Sequence, residues 1–181
     1  MAHPLHKIIG RYMDEVNFPS CVVLKDPACG GQQHLPLFIS QEKSRKTEYC
    51  NVDLLILKNN QVRVIIEVEE SDVKPTQICG KFLTSALSSY FIHEKYNNDP
   101  IAIVDALFIQ ILDTTVLKAA TSKIEQWRNL ESSIQSLLPL RKSAITKYRL
   151  FWGDSKEFLK TNTEQFTACI NDVLANIYPN Y

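Results

Sequence analysis

The sequence predicts an α/β fold, a mixed sheet with helices packed against it, on three observations. Residues 3–17 and 75–90 carry apolar side chains at helical spacing, whereas residues 49–57 and 62–69 are β-rich runs around a short polar loop. Residues 101–112 are almost wholly apolar and partly β-branched, the mark of a strand covered on both faces. With 181 residues, 45% hydrophobic and 22% charged, the chain has enough apolar surface for a real core, and a single domain over residues 1–181 is expected.

The first helix places Leu5, Ile8, Ile9, Tyr12, Met13 and Val16 on one face. Phe18-Pro19 ends it, because the residue before proline avoids the helical region. A short strand over 21–24 follows, then a loop with Pro27, Gly30 and Gly31, and a second short strand at 35–39. Lys58-Asn59-Asn60-Gln61 reads as the loop of a hairpin between 49–57 and 62–69. Pro75 opens the next helix, proline being favoured in a first turn, with Ile78, Phe82, Leu83, Ala86, Leu87 and Tyr90 inward. After the buried strand, Thr114 or Thr115 can cap a helix reaching residue 138, with Leu117, Ile124, Trp127, Leu130 and Ile134 inward. A last strand covers 145–152. Asp154 and Glu157 have capping-box spacing before a C-terminal helix whose stripe is Phe166, Ile170, Val173 and Ile177.

The charge balance, 20 Lys+Arg against 20 Asp+Glu, excludes a strongly basic nucleic-acid coat but not an enzyme with a local basic groove. No run approaches the roughly 20 apolar residues of a transmembrane helix. The start has no apolar core of a signal peptide, so no membrane partner and a cytoplasmic location are expected. Five cysteines without a CxxC pair suggest reduced thiols rather than a zinc or disulfide framework. The phosphate-loop, dinucleotide, serine-hydrolase and HExxH signatures are all missing.

What remains is carboxylate around one hairpin. Asp53 opens one strand run, and Glu67 and Glu69 close the next. Side chains alternate along a strand, so Glu67 and Glu69 share a face while Glu70 points away. Positions 53 and 67 are about equally far from the turn, which brings three carboxylates to one strand end. Such a cluster repels itself unless a cation neutralises it, and hard oxygen donors suit Mg²⁺, with Mn²⁺ as substitute. The competing reading is a strand end made soluble by acids.

Asp53, the hairpin and then Ile65-Ile66-Glu67-Val68-Glu69 resemble the core of the PD-(D/E)xK nuclease superfamily, which includes many restriction endonucleases. That family has an Asp on one strand and [D/E]-x-K on the next, in an αβββαβ core, and the predicted element order over residues 3–112 is similar to it. The resemblance implies Asp53 and Glu67 as metal ligands, with the Val68 carbonyl as a third. Glu69 stands where the family usually has Lys, as in some type II restriction enzymes, where that carboxylate serves metal and attacking water. Elsewhere in the superfamily the lysine has moved to the following helix, and Lys81 is the candidate here. Gln77, one turn earlier, matches a Gln of RecB-like nucleases. An ordinary solvated stripe is the other reading of Lys81 and Gln77. The upstream acid that the family often adds is Glu15, Glu48 or Glu42, with Glu15 favoured.

For a substrate there are two basic groups: Lys43, Arg45 and Lys46 ahead of Asp53, and Arg141, Lys142, Lys147 and Arg149 in a stretch without acids. Each can neutralise a backbone phosphate without reading sequence. The expectation is a Mg²⁺-dependent DNA endonuclease, of type II restriction kind, cutting double-stranded DNA as a homodimer. The alternative is a nuclease-like fold that binds DNA or a protein partner without catalysis.

Overall fold

The computed structural model of the chain describes residues 3–70, 73–118 and 120–175. Its elements are α1 (Pro4–Glu15), β1 (Cys21–Lys25), β2 (Pro36–Phe38), β3 (Glu48–Asn51), β4 (Leu54–Lys58), β5 (Gln61–Glu69), α2 (Pro75–Ala86), β6 (Tyr90–Phe91), β7 (Ile101–Asp113), α3 (Lys123–Leu137), β8 (Ile145–Gly153) and α4 (Phe158–Ala175). The fold is α/β, a mixed eight-stranded sheet flanked by four helices.

The main sheet runs β1-β4-β5-β7-β8. β1, β4 and β5 are antiparallel neighbours; β7 then lies parallel to β5, and β8 parallel to β7. β5 and β7 occupy the middle, so their side chains are covered on both faces and read as continuous apolar runs. Two cores result. Leu55, Ile65, Phe108 and Tyr148 meet Phe82 of α2 and Trp127 of α3, whereas Leu54, Ile66, Ile109 and Phe151 meet Ile9 of α1 and Phe166 of α4. The β4–β5 turn uses Asn59 and Asn60, both at positive φ, between the paired Lys58 and Gln61, which suits a tight two-residue hairpin.

Several elements differ from expectation. The run 49–57 is two strands, because the chain leaves the ladder at Val52-Asp53: β3 pairs with β2, and β4 with β1 and β5. The helix expected to 90 stops at Ala86, and Tyr90–Phe91 turn into β6, paired with both β2 and β7. Leu83 and Leu87 are therefore about half exposed rather than inward. Thr115 does not cap α3; its hydroxyl donates to Asp113 Oδ1, and α3 starts only at Lys123. Asp154 Oδ1 accepts the N–H groups of Lys156 and Glu157 ahead of α4. Ile177 lies outside the described residues. No described helix is long and apolar enough to cross a membrane.

β8 ends the sheet as an edge strand, a position that leaves backbone groups unpaired. α3 covers it: Glu131 Oε1 accepts the Leu150 N–H at 3.0 Å and Gln135 donates to the Tyr148 carbonyl at 3.1 Å.

Candidate active site

The break before β4 leaves Asp53 beside the C-terminal end of β5. Asp53 Oδ2 accepts the Val68 N–H at 2.7 Å, in place of a ladder bond. The N–H and C=O of a strand residue face one edge, so the Val68 carbonyl lies on the Asp53 edge too. Glu67 is fully buried, on the face of the sheet covered by α2 and α3. α2 enters at Pro75 just after β5 and carries Lys81 back over the strand end. Lys81 Nζ stands 3.2 Å from Glu67 Oε2 and 3.6 Å from Glu69 Oε1.

The Asp53 and Glu67 carboxylates lie against each other, and their ionisation diverges. Burial opposes charge on Asp53, but the neighbouring His6 imidazole and the hydrogen bond from the Val68 N–H outweigh it and hold the carboxyl below its usual range. Glu67 is pushed well above its usual range by burial and by the Asp53 charge, which the Lys81 ammonium only partly offsets. Burial also raises Glu69, against the pull of Lys81. Burial works against charge on Lys81, but Glu67, Glu69 and Asp53 outweigh it and keep the ammonium charged. Glu67 Oε1 is buried without a hydrogen-bond donor. Its contact with Asp53 is favourable only when a proton or a cation sits between them, and an acid–carboxylate pair sharing one proton is the metal-free solution.

The donors present fit a hard divalent ion: carboxylate oxygens of Asp53 and Glu67, with the Val68 carbonyl on the same edge. Glu69 lies 3.6 Å from Lys81, and its Oε1 too is buried without a hydrogen-bond partner. Gln77 is not at the site; its Oε1 accepts the Lys74 N–H at 2.8 Å and closes the start of α2. Glu15 is exposed at the far end of α1, nine residues or about 13 Å along the axis from His6.

α1 delivers His6, a residue that motif and spacing did not single out. Its Nε2 lies 3.6 Å from Asp53 Oδ2. Burial disfavours its charge, yet Asp53 and Glu70 prevail and raise its pKa. A polar residue inside the buried stripe Leu5, Ile9 and Met13 was its signal. Gln110 is a second residue that no motif marks, although it is the lone polar side chain of the apolar stretch 106–112 in β7. It is fully buried, pairs in register with Glu67, and its Oε1 accepts the Tyr148 hydroxyl at 2.7 Å.

The basic residues divide. Lys43, Arg45 and Lys46 are exposed in the β2–β3 loop, and Lys43 borders a cavity of about 570 Å³ that reaches Asn51, two residues before Asp53. Arg141 and Lys142 are exposed before β8. β8 is parallel to β7 and Leu150 is level with Gln110 and Glu67, so its first residue lies about 16 Å down the sheet from the carboxylates. Lys147 pairs with Asp172 at 2.6 Å, and Arg149 lies 3.7 Å from Glu131.

No protein-family model, no curated protein and no solved structure matches this chain.

Proposed function

We propose that this protein is a metal-dependent DNA endonuclease of type II restriction kind, acting on double-stranded DNA as a homodimer. The observation that carries the reading is the fully buried Glu67, with one oxygen lacking a donor, pressed against Asp53 and bridged to Glu69 by Lys81. The order α1-β1-β4-β5-α2-β7, antiparallel and then parallel, supports a restriction endonuclease-like core, with β2, β3 and β6 as additions.

Asp53 and Glu67, with the Val68 carbonyl, hold Mg²⁺ or Mn²⁺. Such an ion lowers the pKa of its bound water and stabilises charge developing on a phosphodiester. Val68 N–H and His6 fix the orientation of Asp53, so that one oxygen remains for binding. Lys81 keeps Glu67 from repelling the substrate phosphate and can hold the attacking water beside Glu69 through its remaining N–H bonds. Two strands are cut symmetrically when two copies meet about a two-fold axis.

The Lys81 ion pair also favours a second reading. It offsets the carboxylate charge without any ion, which a nuclease-like protein that only binds DNA or a protein partner could retain. Supercoiled plasmid with Mg²⁺ or Mn²⁺ separates the two. Discrete cleavage products that vanish in Glu67→Ala and in chelator support the endonuclease. Retarded but intact plasmid supports binding alone.

A further inference from the structure

Glu70 points to the opposite side of β5 from Glu67 and meets the first turn of α1. Its Oε1 accepts the backbone N–H of His6 at 2.7 Å and lies 3.1 Å from His6 Nδ1; its Oε2 lies 3.8 Å from His3 Nδ1. Among the described residues, His3, His6 and Glu70 are the set of three His, Cys, Asp or Glu donor atoms that lie within 4.8 Å of one another. A helix cap explains one carboxylate oxygen, since the N-cap residue His3 supplies no side-chain acceptor of its own. It does not explain two imidazoles converging on one carboxylate.

We infer that His3, His6 and Glu70 form a second metal site, for Zn²⁺, distinct from the Asp53–Glu67 pair. Two imidazoles and a carboxylate are the donors of a borderline-soft transition ion rather than of Mg²⁺. Ligands about 2.05 Å from a tetrahedral zinc stand about 3.3 Å apart. Glu70 reaches His6 Nδ1 at 3.1 Å through Oε1 and His3 Nδ1 at 3.8 Å through Oε2, and one donor atom from each residue lies within 4.8 Å of the others, so rotation of the carboxylate and of the His3 ring is what brings them to that spacing. His3 is half exposed, which gives the ion an entry path and leaves a fourth position to solvent. His6 also has the outer partner that a zinc-bound imidazole normally has. With Nδ1 toward the ion, its Nε2 faces Asp53 Oδ2 at 3.6 Å, an outer carboxylate that favours this ring orientation and tautomer. The imidazole of His6 therefore stands between the two sites.

Untagged, metal-stripped protein titrated with Co²⁺ and then Zn²⁺ tests this, followed by visible absorption. The expected result is one Co²⁺ per chain with tetrahedral d–d bands and no thiolate charge-transfer band, displaced by one Zn²⁺. His3→Asn keeps a favoured helix cap and should weaken binding on the order of tenfold or more, as should Glu70→Gln. Asp53→Asn should cost about tenfold through the ring of His6, while Glu67→Gln stays within about twofold of wild type. Unchanged binding in His3→Asn, thiolate bands from any of the five cysteines, or no binding by the folded wild-type chain overturns the site. The zinc site is independent of the nuclease reading. Zinc binding without plasmid cleavage leaves the site standing, and cleavage without zinc binding removes the site alone.

Discussion

Glu67 has no solvent-exposed surface, one cationic neighbour and one anionic neighbour, so its charge state governs the site. Its folded-state pKa is raised, so it contributes stability that is fully present below about pH 4.5 and is lost as pH rises through the folded value. Asp53 works in the other direction: stability present above about pH 3.8 is lost as pH falls through its lowered value. Glu67→Gln is therefore expected to be more stable than wild type at pH 7 without divalent ions, by about 1–2 kcal/mol. The gain should shrink toward pH 4.5, as read from urea unfolding across pH. On the proposed metal site, Mn²⁺ should stabilise the wild type and not this variant, and its binding to the wild type should release a proton. Lys81→Met should do the reverse at pH 7, costing about 1–2 kcal/mol, less than for a fully buried pair because the side chain is 39% exposed. An unchanged midpoint in the Lys81 variant contradicts its role. At this level the carboxylates were legible, because strand alternation and distance from the turn are local arithmetic. His6 and Glu70 were not, because their meeting spans 64 positions and no periodicity encodes it.

α1 is the element that brings His6 to Asp53, and its seating is backbone against backbone. A Cβ at Gly10 would lie 1.9 Å from the Cys29 carbonyl oxygen. Lys25 reinforces this approach by donating to the Gly10 carbonyl at 3.2 Å and pairing with Asp14 at 2.6 Å. Alanine is favoured over glycine in a helix by about 1 kcal/mol. Here the clash should reverse that, and Gly10→Ala is expected to lower stability by about 2 kcal/mol or more in thermal or urea unfolding. A neutral or stabilising effect would mean that α1 sits further from the loop. The apolar stripe of α1 was readable, but its approach to Cys29 was not. The strand break at Val52-Asp53 was hidden for a related reason: Tyr49 to Leu57 is a continuous β-rich run, and only pairing with different partners divides it. α3 begins later than its sequence suggests because Thr115 spends its hydroxyl on Asp113.

Across the whole molecule the neutral charge divides into unlike regions. Carboxylates gather at the C-terminal end of β5, and the β2–β3 loop carries exposed cations, of which Lys43 borders a cavity that reaches Asn51, two residues before Asp53. Arg141 and Lys142 lie at the opposite end of the sheet, while Lys147 and Arg149 are engaged by Asp172 and Glu131. On the proposed nuclease reading, DNA over the site would meet the loop rather than the turn before β8. Replacing Lys43, Arg45 and Lys46 by Gln should flatten the dependence of DNA binding on salt, by about 0.9 in log–log slope for each phosphate no longer neutralised. Replacing Arg141 and Lys142 should leave the slope unchanged in gel-shift titrations; equal flattening by both sets of substitutions contradicts this placement. The fold class was readable from the central apolar strand and the hairpin, whereas the site's orientation needed the parallel order of β5, β7 and β8.

On the proposed function, Asp53 and Glu67 share a divalent ion. Anomalous diffraction from crystals grown with Mn²⁺ tests it directly. The expected result is a peak within about 2.0–2.3 Å of an oxygen of each carboxylate, missing in Glu67→Gln. Crystals with no peak there, with Glu67 still held by Lys81, would contradict it.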